Sequence, residues 1–143
     1  MAEETLVKEP LTKEMIEAGK ALNKRLANAH VKLVSAFWLY SSETNEWEFV
    51  IALPEVDTAG PQKVYGTIVS NLYPPEGFSQ LPPDQTLLEP LYPRRIIVLS
   101  PNHPLVRSLQ SAIQFQTKAD GVQFTRSQIN DVFVEDVYVY RIN

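Results

Sequence analysis

The sequence predicts a single α+β domain in which about five strands form a mixed sheet and three helices pack on it. Two patterns predict this class: three segments with helical apolar spacing, and short runs rich in β-branched and aromatic residues between them. The resulting order is α-β-β-α-β-α-β-β. Because a strand pair lies at each end with strand–helix alternation between them, a mixed sheet is favoured over an all-parallel one.

Length and composition indicate one domain over residues 1–143. A chain of 143 residues has the usual size of a single domain, and 44% apolar with 21% charged residues is ordinary globular composition. The sequence contains no cysteine. It therefore offers no disulfide, no thiolate nucleophile and no zinc–thiolate site.

The first ten residues are interpreted as a flexible acidic tail, since they lack the basic and apolar regions of a signal peptide. The apolar runs fall far short of the ~20 residues that span a bilayer, so we expect a cytoplasmic protein without a membrane partner. A formal net charge of -4 makes nucleic acid an unlikely partner, because proteins that bind duplex DNA usually carry a basic patch.

The N-terminal half begins with a predicted helix over residues 13–29, with Thr12 as its N-cap. His30 is expected to end it, where an imidazole suits the negative end of the helix dipole. Strands are predicted over 31–40 and 46–53, and the polar spacer 41–45 is short enough to close an antiparallel hairpin. A loop over 54–60 then leads to a helix over 61–72 that starts with Pro61.

Residues 73–93 form an unusual segment with six of the eleven prolines and several apolar side chains. A flexible linker would lack those apolar groups, so we expect a long surface loop held to the domain by its leucines. Loops of this length inside a compact domain are often functional.

The C-terminal half continues with a predicted strand over 94–100, whose unbroken apolar run suggests burial on both faces. A helix starting at Pro104 and a strand over 122–125 follow. The last strand, 132–142, is apolar on both faces, so it is central or covered by a partner. One face is expected to carry Val132, Val134, Tyr138 and Tyr140, and the other Phe133, Val137 and Val139.

Two crossovers are expected in the middle of the chain, one from the second to the third strand and one from the third to the fourth. They bring the loops 55–60 and 100–104 to one edge of the sheet, where open α/β sheets bind ligands and helix N-termini favour anions. The hypothesis is a pocket for a small anionic or phosphorylated ligand. The polar side chains gathered there are Asp57, Thr58, Ser100, Asn102, His103 and Arg107. The competing interpretation is that such residues only cap helices and form turns.

No catalytic residue, metal ligand set or cofactor is predicted. A catalytic Ser-His-Asp triad could be composed of Ser100, His103 and Asp57. However, neither a GxSxG turn nor an oxyanion donor pair accompanies these residues in the sequence. Glycine-rich phosphate loops and HxxxH or HExxH spacings are absent from the sequence. Asp136 shares a strand face with apolar residues, so it is expected to need a partner such as an arginine.

The preferred function is therefore a non-catalytic binding or protein-interaction module. The apolar, proline-rich segment 73–93 and the two-sided last strand favour a protein partner or self-association. The alternative is a small enzyme or sensor that binds an anionic or phosphorylated small molecule at two helix N-termini.

Overall fold

A computed structural model of the chain describes residues 9–73, 84–114 and 121–142. Its helices and strands follow one another in an order that matches the predicted one, with one additional short helix and one 3₁₀ helix. In chain order they are α1 (Lys13–Asn28), β1 (Ser35–Ser41), β2 (Glu46–Ala52), α2 (Glu55–Ala59), α3 (Pro61–Leu72), the 3₁₀ helix Thr86–Leu91, β3 (Ile96–Leu99), α4 (Pro104–Ile113), β4 (Gly121–Ile129) and β5 (Val132–Tyr140).

The five strands form one mixed sheet with the order β3-β2-β1-β5-β4. β2 and β3 are parallel, whereas β1 runs antiparallel to both β2 and β5, and β4 runs antiparallel to β5. The predicted α+β class, the five-stranded mixed sheet and the three longer helices are thereby confirmed.

Helices cover both faces of the sheet. On one face, α1, α3 and the 3₁₀ helix bury a large cluster that includes Trp38, Phe49 and Ile51. On the other face, α4 packs its residues Val106, Leu109 and Ile113 against the sheet. The alternation of side chains along β1 and β2 explains why both layers form, since successive residues of these strands point to opposite faces and most of them are apolar.

The first helix forms as predicted. The Thr12 hydroxyl accepts a hydrogen bond from the Met15 N–H at 3.1 Å, which caps the N-terminus of α1. The helix ends at Asn28, and His30 takes a positive φ of 62°, so the chain turns out of the helix there. Residues 31–34 precede β1 instead of belonging to it, and this differs from the predicted strand.

A buried hydrogen-bond chain joins α1 to the two central strands. The Trp38 Nε1–H donates to the Tyr140 hydroxyl at 2.9 Å, and that hydroxyl donates to the Ile16 carbonyl at 2.6 Å. Burial raises the pKa of the Tyr140 phenol well above its usual value, because the phenolate would lose its water shell there. The phenol therefore stays protonated and fixes α1 on the sheet.

The first expected crossover is present, and the second is wrong. β2 and β3 run parallel, with α2 and α3 between them. β4 does not lie beside β3 but at the opposite edge of the sheet, antiparallel to β5. The reason is local: Ile129 pairs with Val132 across a two-residue turn in which Asn130 adopts a φ of 54°, and such a turn keeps β4 next to β5.

Three further expectations require correction. β3 is an edge strand in which only Ile96 is buried, because β2 is its one neighbour in the sheet that the described residues form. The expected loop 54–60 contains α2, whose ends are formed by Pro54 and Gly60. β4 is longer than expected, since hairpin pairing with β5 carries it through to Ile129.

The β4–β5 hairpin reverses its inward face halfway along. Val134 packs in the same cluster as Val137 and Val139, although alternation alone would place it on the opposite face. The change occurs beside Arg126, whose φ of 46° departs from strand geometry and whose guanidinium lies 3.8 Å from Glu135. The predicted division of the last strand into two faces is therefore wrong, and Phe133 points to solvent.

The buried carboxylate of Asp136 accepts hydrogen bonds from two neutral donors, and its expected pairing with an arginine stays a prediction. The Gln123 amide donates to it at 2.8 Å and the Thr125 hydroxyl at 3.3 Å, both from the neighbouring strand β4.

The proline-rich segment 73–93 is held to the domain where it is described. Residues 74–83 lie outside the described ranges, and the 3₁₀ helix buries Leu88 and Leu91 completely. The buried amide of Gln85 donates to the Leu72 carbonyl at 2.9 Å and accepts from Arg25 of α1 at 3.1 Å. Arg25 also pairs with Asp84, so one guanidinium connects α1 to the start of this segment.

Candidate functional site

Three of the predicted site residues meet at the carboxyl edge of β2 and β3, and we name them the capping cluster: Asp57, Ser100 and Asn102. The Ser100 hydroxyl donates to the Asp57 carboxylate at 2.9 Å, and the Asn102 side-chain amide donates to the same oxygen at 3.4 Å. The Asn102 backbone N–H in turn donates to the Ser100 hydroxyl at 3.1 Å. The cluster joins α2 to the loop before α4, because parallel strands bring both loops to one edge.

The other three predicted residues lie nearby without joining this cluster. His103 is the N-cap of α4, and its Nδ1 accepts from the Leu105 N–H at 3.2 Å. Thr58 donates to the Glu55 carbonyl at 3.3 Å within its own helix. Arg107 is exposed on α4, with its backbone N–H bonded to the His103 carbonyl.

The geometry of the capping cluster has two chemical consequences. Ser100 contacts Asp57 directly and the Nδ1 atom of His103 is engaged by a backbone N–H, so the imidazole does not stand between serine and aspartate as in a catalytic relay. The Asp57 carboxylate also takes the hydrogen bonds that Ser100 and Asn102 could offer to an anionic ligand. Ligand binding by these six residues stays a prediction, and the cluster itself connects two loops.

A second feature lies at the same edge of the sheet, on the α1 side. It is a groove of about 660 Å³, which we call the cationic groove. β2 and β5 both run antiparallel to β1, so their carboxyl ends meet at one edge, where the groove has formed against the end of α1. Its lining residues are Asn23, Lys24, Ala27, His30, Val31, Lys32, Leu33, Val34, Pro54, Arg141 and Ile142.

The charge of the cationic groove is opposite to that of the whole chain. Lys24, Lys32 and Arg141 contribute three positive charges, His30 adds a titratable imidazole, and no acidic side chain of the described residues lines the groove. The chain as a whole has a formal net charge of -4. The uncharged side chains that line the groove are mostly aliphatic, so the groove combines positive charges with an apolar floor of Val31, Leu33 and Ile142.

Asn23 adds an unmet hydrogen bond to this surface. The Asn23 Oδ1 atom is buried and has no hydrogen-bond partner among the described residues. A buried acceptor without a donor costs about 1–3 kcal/mol, so Asn23 lowers the stability of the packing beside the groove.

The local folding of the chain positions each cation. Lys24 lies in the last two turns of α1. His30 forms the turn after this helix with its positive φ, and Lys32 follows that turn. Arg141 comes directly after β5. Sequence reasoning missed this site because its residues come from the two ends of the chain, and only the pairing of β1 with β5 brings them together. The only signal in the sequence was the clustering of Lys24, His30 and Lys32 around the end of the first helix.

Two other classes of feature are absent from the described residues. In residues 9–73, 84–114 and 121–142, no three histidine or acidic side chains are grouped so that they could hold a metal ion. Over the same ranges, no helix has the length and apolar character needed to cross a membrane.

Comparisons with known proteins give no significant match to a family model, to a curated protein or to a solved structure.

Proposed function

We propose that this chain is a non-catalytic binding module that takes an anionic ligand with an apolar part in the cationic groove. The observation that carries the proposal is the lining itself, in which three cations and a histidine surround an aliphatic floor without an acidic side chain of the described residues. A site of about 660 Å³ has the size of ordinary small-molecule pockets, which are mostly apolar with a few placed polar groups.

Charge complementarity supports an anion more strongly than a neutral ligand. Lys24 and Lys32 are exposed cations of one groove, and a bound phosphate or carboxylate would be attracted to both of them. Attraction to the negative end of the α1 dipole explains the positions of only some of these basic residues. Lys24 and His30 lie near that end, but Lys32 and Arg141 belong to no helix.

The ligand is expected to reach the apolar floor as well as the cations. Val31, Leu33 and Ile142 line the groove and are only partly buried, so an apolar group of the ligand could cover them. Burial of apolar surface contributes about 25 cal/mol per Å², so an aromatic ring on the ligand should add measurably to the affinity.

The test compares inorganic phosphate, phenyl phosphate and neutral phenol by thermal shift. Phenyl phosphate is expected to raise the melting temperature most, because it carries both an anionic group for the cations and a ring for the apolar side chains. A ligand at about 100 times its Kd adds roughly 2.7 kcal/mol of stability. The variant Lys24→Gln/Lys32→Gln should abolish the shift. The control Lys13→Gln/Lys63→Gln removes the same charge from exposed positions outside the groove and should keep it.

A second variant locates any binding that is observed. Ser100→Ala/Asn102→Ala removes two donors of the capping cluster and leaves the cationic groove intact. Loss of the shift in this variant alone would move the anion site to the predicted helix N-termini and contradict the proposal. Absence of any shift, or an equal loss in the charge control, would also contradict it.

A further inference from the structure

The outer edge of β3 presents backbone groups that have no strand partner among the described residues. The Phe49 N–H donates to the Arg95 carbonyl, and the Leu53 N–H donates to the Leu99 carbonyl. Because backbone groups of successive strand residues point alternately to the two sides, Arg95, Ile97 and Leu99 face β2. The N–H and C=O groups of Ile96 and Val98 therefore point away from β2, and β3 is the outermost strand of the sheet that the described residues form.

A groove runs along this edge, between β3 and the first turns of α3. It has a volume of about 310 Å³ and is lined by Pro61, Gln62, Tyr65, Arg95, Ile96, Ile97 and Val98. The Tyr65 ring is 45% exposed beside it, although its helix neighbours Val64 and Ile68 are buried. A helix that flanks an open strand edge, with an apolar groove between them, is the arrangement that accepts an extended peptide as an additional strand.

The positive charge of Arg95 favours some extended peptide segments over others at the β3 edge. Arg95 lies at the start of the edge, and its side chain is 73% exposed while its guanidinium lies 3.5 Å from the Glu48 carboxylate. Of the described residues that line this groove, Arg95 is the one that carries a charge. Because most of the Arg95 side chain is exposed, its guanidinium can take a second carboxylate beside that of Glu48, from an acidic residue of an incoming strand. Apolar residues of that strand would be favoured along Tyr65 and Val98.

We propose that the β3 edge binds an extended segment of a partner protein as a sixth strand of the sheet. The segment carries an acidic residue opposite Arg95 and alternating apolar side chains, one of which enters the groove beside Tyr65. The backbone groups of Ile96 and Val98 supply the hydrogen bonds that hold it. This site is separate from the cationic groove, so either proposal can fail alone.

The test selects a displayed library of random linear peptides against the intact protein and compares two proline variants. Val98→Pro removes an outward N–H and leaves the ladder with β2 intact, since proline is tolerated on the free side of an edge strand. Ile97→Pro removes an N–H that faces β2, so it should lower the stability of the whole domain. Peptides enriched on the wild type are expected to contain acidic and β-branched residues and to bind Val98→Pro at least about tenfold more weakly.

Amide hydrogen exchange provides a second measurement that does not depend on the variants. The Ile96 and Val98 amides should exchange quickly in the free protein, the Ile97 and Leu99 amides slowly, and the Val98 amide should slow when a selected peptide binds. The proposal is overturned if Val98 is already protected in the free monomer or if Val98→Pro unfolds as Ile97→Pro does. It is also overturned if no peptide is enriched, or if the edge is occupied by a second copy of the chain.

Discussion

Gly19 shows how a single hydrogen atom in place of a side chain permits the contact between α1 and the sheet. A Cβ atom built on Gly19 would lie 2.2 Å from the Tyr140 hydroxyl oxygen and 2.7 Å from the Phe49 ring. Glycine inside a helix costs about 1 kcal/mol relative to alanine, so the sequence alone marks it as a weak point of the helix. The structure gives the reason for it: the helix could not approach these aromatic rings with any side chain there.

We expect Gly19→Ala to destabilise the domain even though alanine is the better helix former. Overpacking a well-filled core costs about 1–3 kcal/mol, which exceeds the gain in helix propensity. Gly66→Ala is a matched control, because a Cβ at this α3 position meets no atom within 4 Å. Chemical denaturation should show a lower midpoint for Gly19→Ala and an unchanged or higher one for Gly66→Ala. Equal stabilisation by both changes would contradict the packing argument.

Tyr140 makes the stability of the domain sensitive to alkaline pH. Its pKa is raised in the folded protein by burial, so above the unfolded-state pKa of about 10 the unfolded chain releases a proton that the folded chain retains. The stabilising contribution is therefore complete below this pH and is lost as pH rises, by up to about 1.4 kcal/mol per pH unit.

The variant Tyr140→Phe isolates this effect, since all other titrating groups are shared with the wild type. The difference in unfolding free energy between wild type and Tyr140→Phe should be constant from pH 7 to 9 and shrink between pH 10 and 11.5. A difference that stays constant through pH 11.5 would show that the phenol ionises freely in the folded protein.

At the scale of elements, the 3₁₀ helix depends on one side chain of α1. Arg25 donates to the Asn71 carbonyl at 2.9 Å and to the Gln85 side chain at 3.1 Å, and it pairs with Asp84. We expect Arg25→Met to leave these acceptors without their donor and to cost about 1–3 kcal/mol. The Leu88 amide, which bonds to the Gln85 carbonyl, should then exchange faster with solvent.

The control for this change is Lys24→Met, which substitutes the neighbouring exposed cation in the same turn. It should leave the exchange of the Leu88 amide unchanged. An equal acceleration in both variants would mean that helix charge, and not the contact with Gln85, holds the segment.

Local patterns were sufficient to predict most elements and insufficient to predict how they pair. The N-cap at Thr12, the start of α3 at Pro61 and the hairpin β1–β2 follow from short-range rules, and the structure confirms them. The place of β4 depends on long-range competition among strands, which no local pattern encodes. The face reversal at Arg126 was also unpredictable, because a strand residue with positive φ leaves no mark in the apolar alternation.

At the scale of the whole molecule, the same limit applies to the candidate sites. The convergence of Asp57 and Ser100 was predictable, since one parallel crossover suffices to bring their loops together. The cationic groove was not, because Arg141 reaches it only through the pairing of β5 with β1. Sequence reasoning thus located the edge of the sheet where Asp57 and Ser100 meet and missed the cationic groove at the same edge.

The position of β5 between β1 and β4 also has a consequence for how the chain acquires its structure. Phe37 pairs with Val139, so the centre of the sheet closes only when segments more than a hundred residues apart meet. Closing so long a loop has a high entropic cost before any contact offsets it, and proteins rich in such pairings fold slowly. On the ribosome, the hairpin β1–β2 and α1 would leave the exit tunnel long before their central partner is synthesised. During that interval the apolar side of β1 is uncovered, and chaperone binding to the nascent chain is expected to concentrate there.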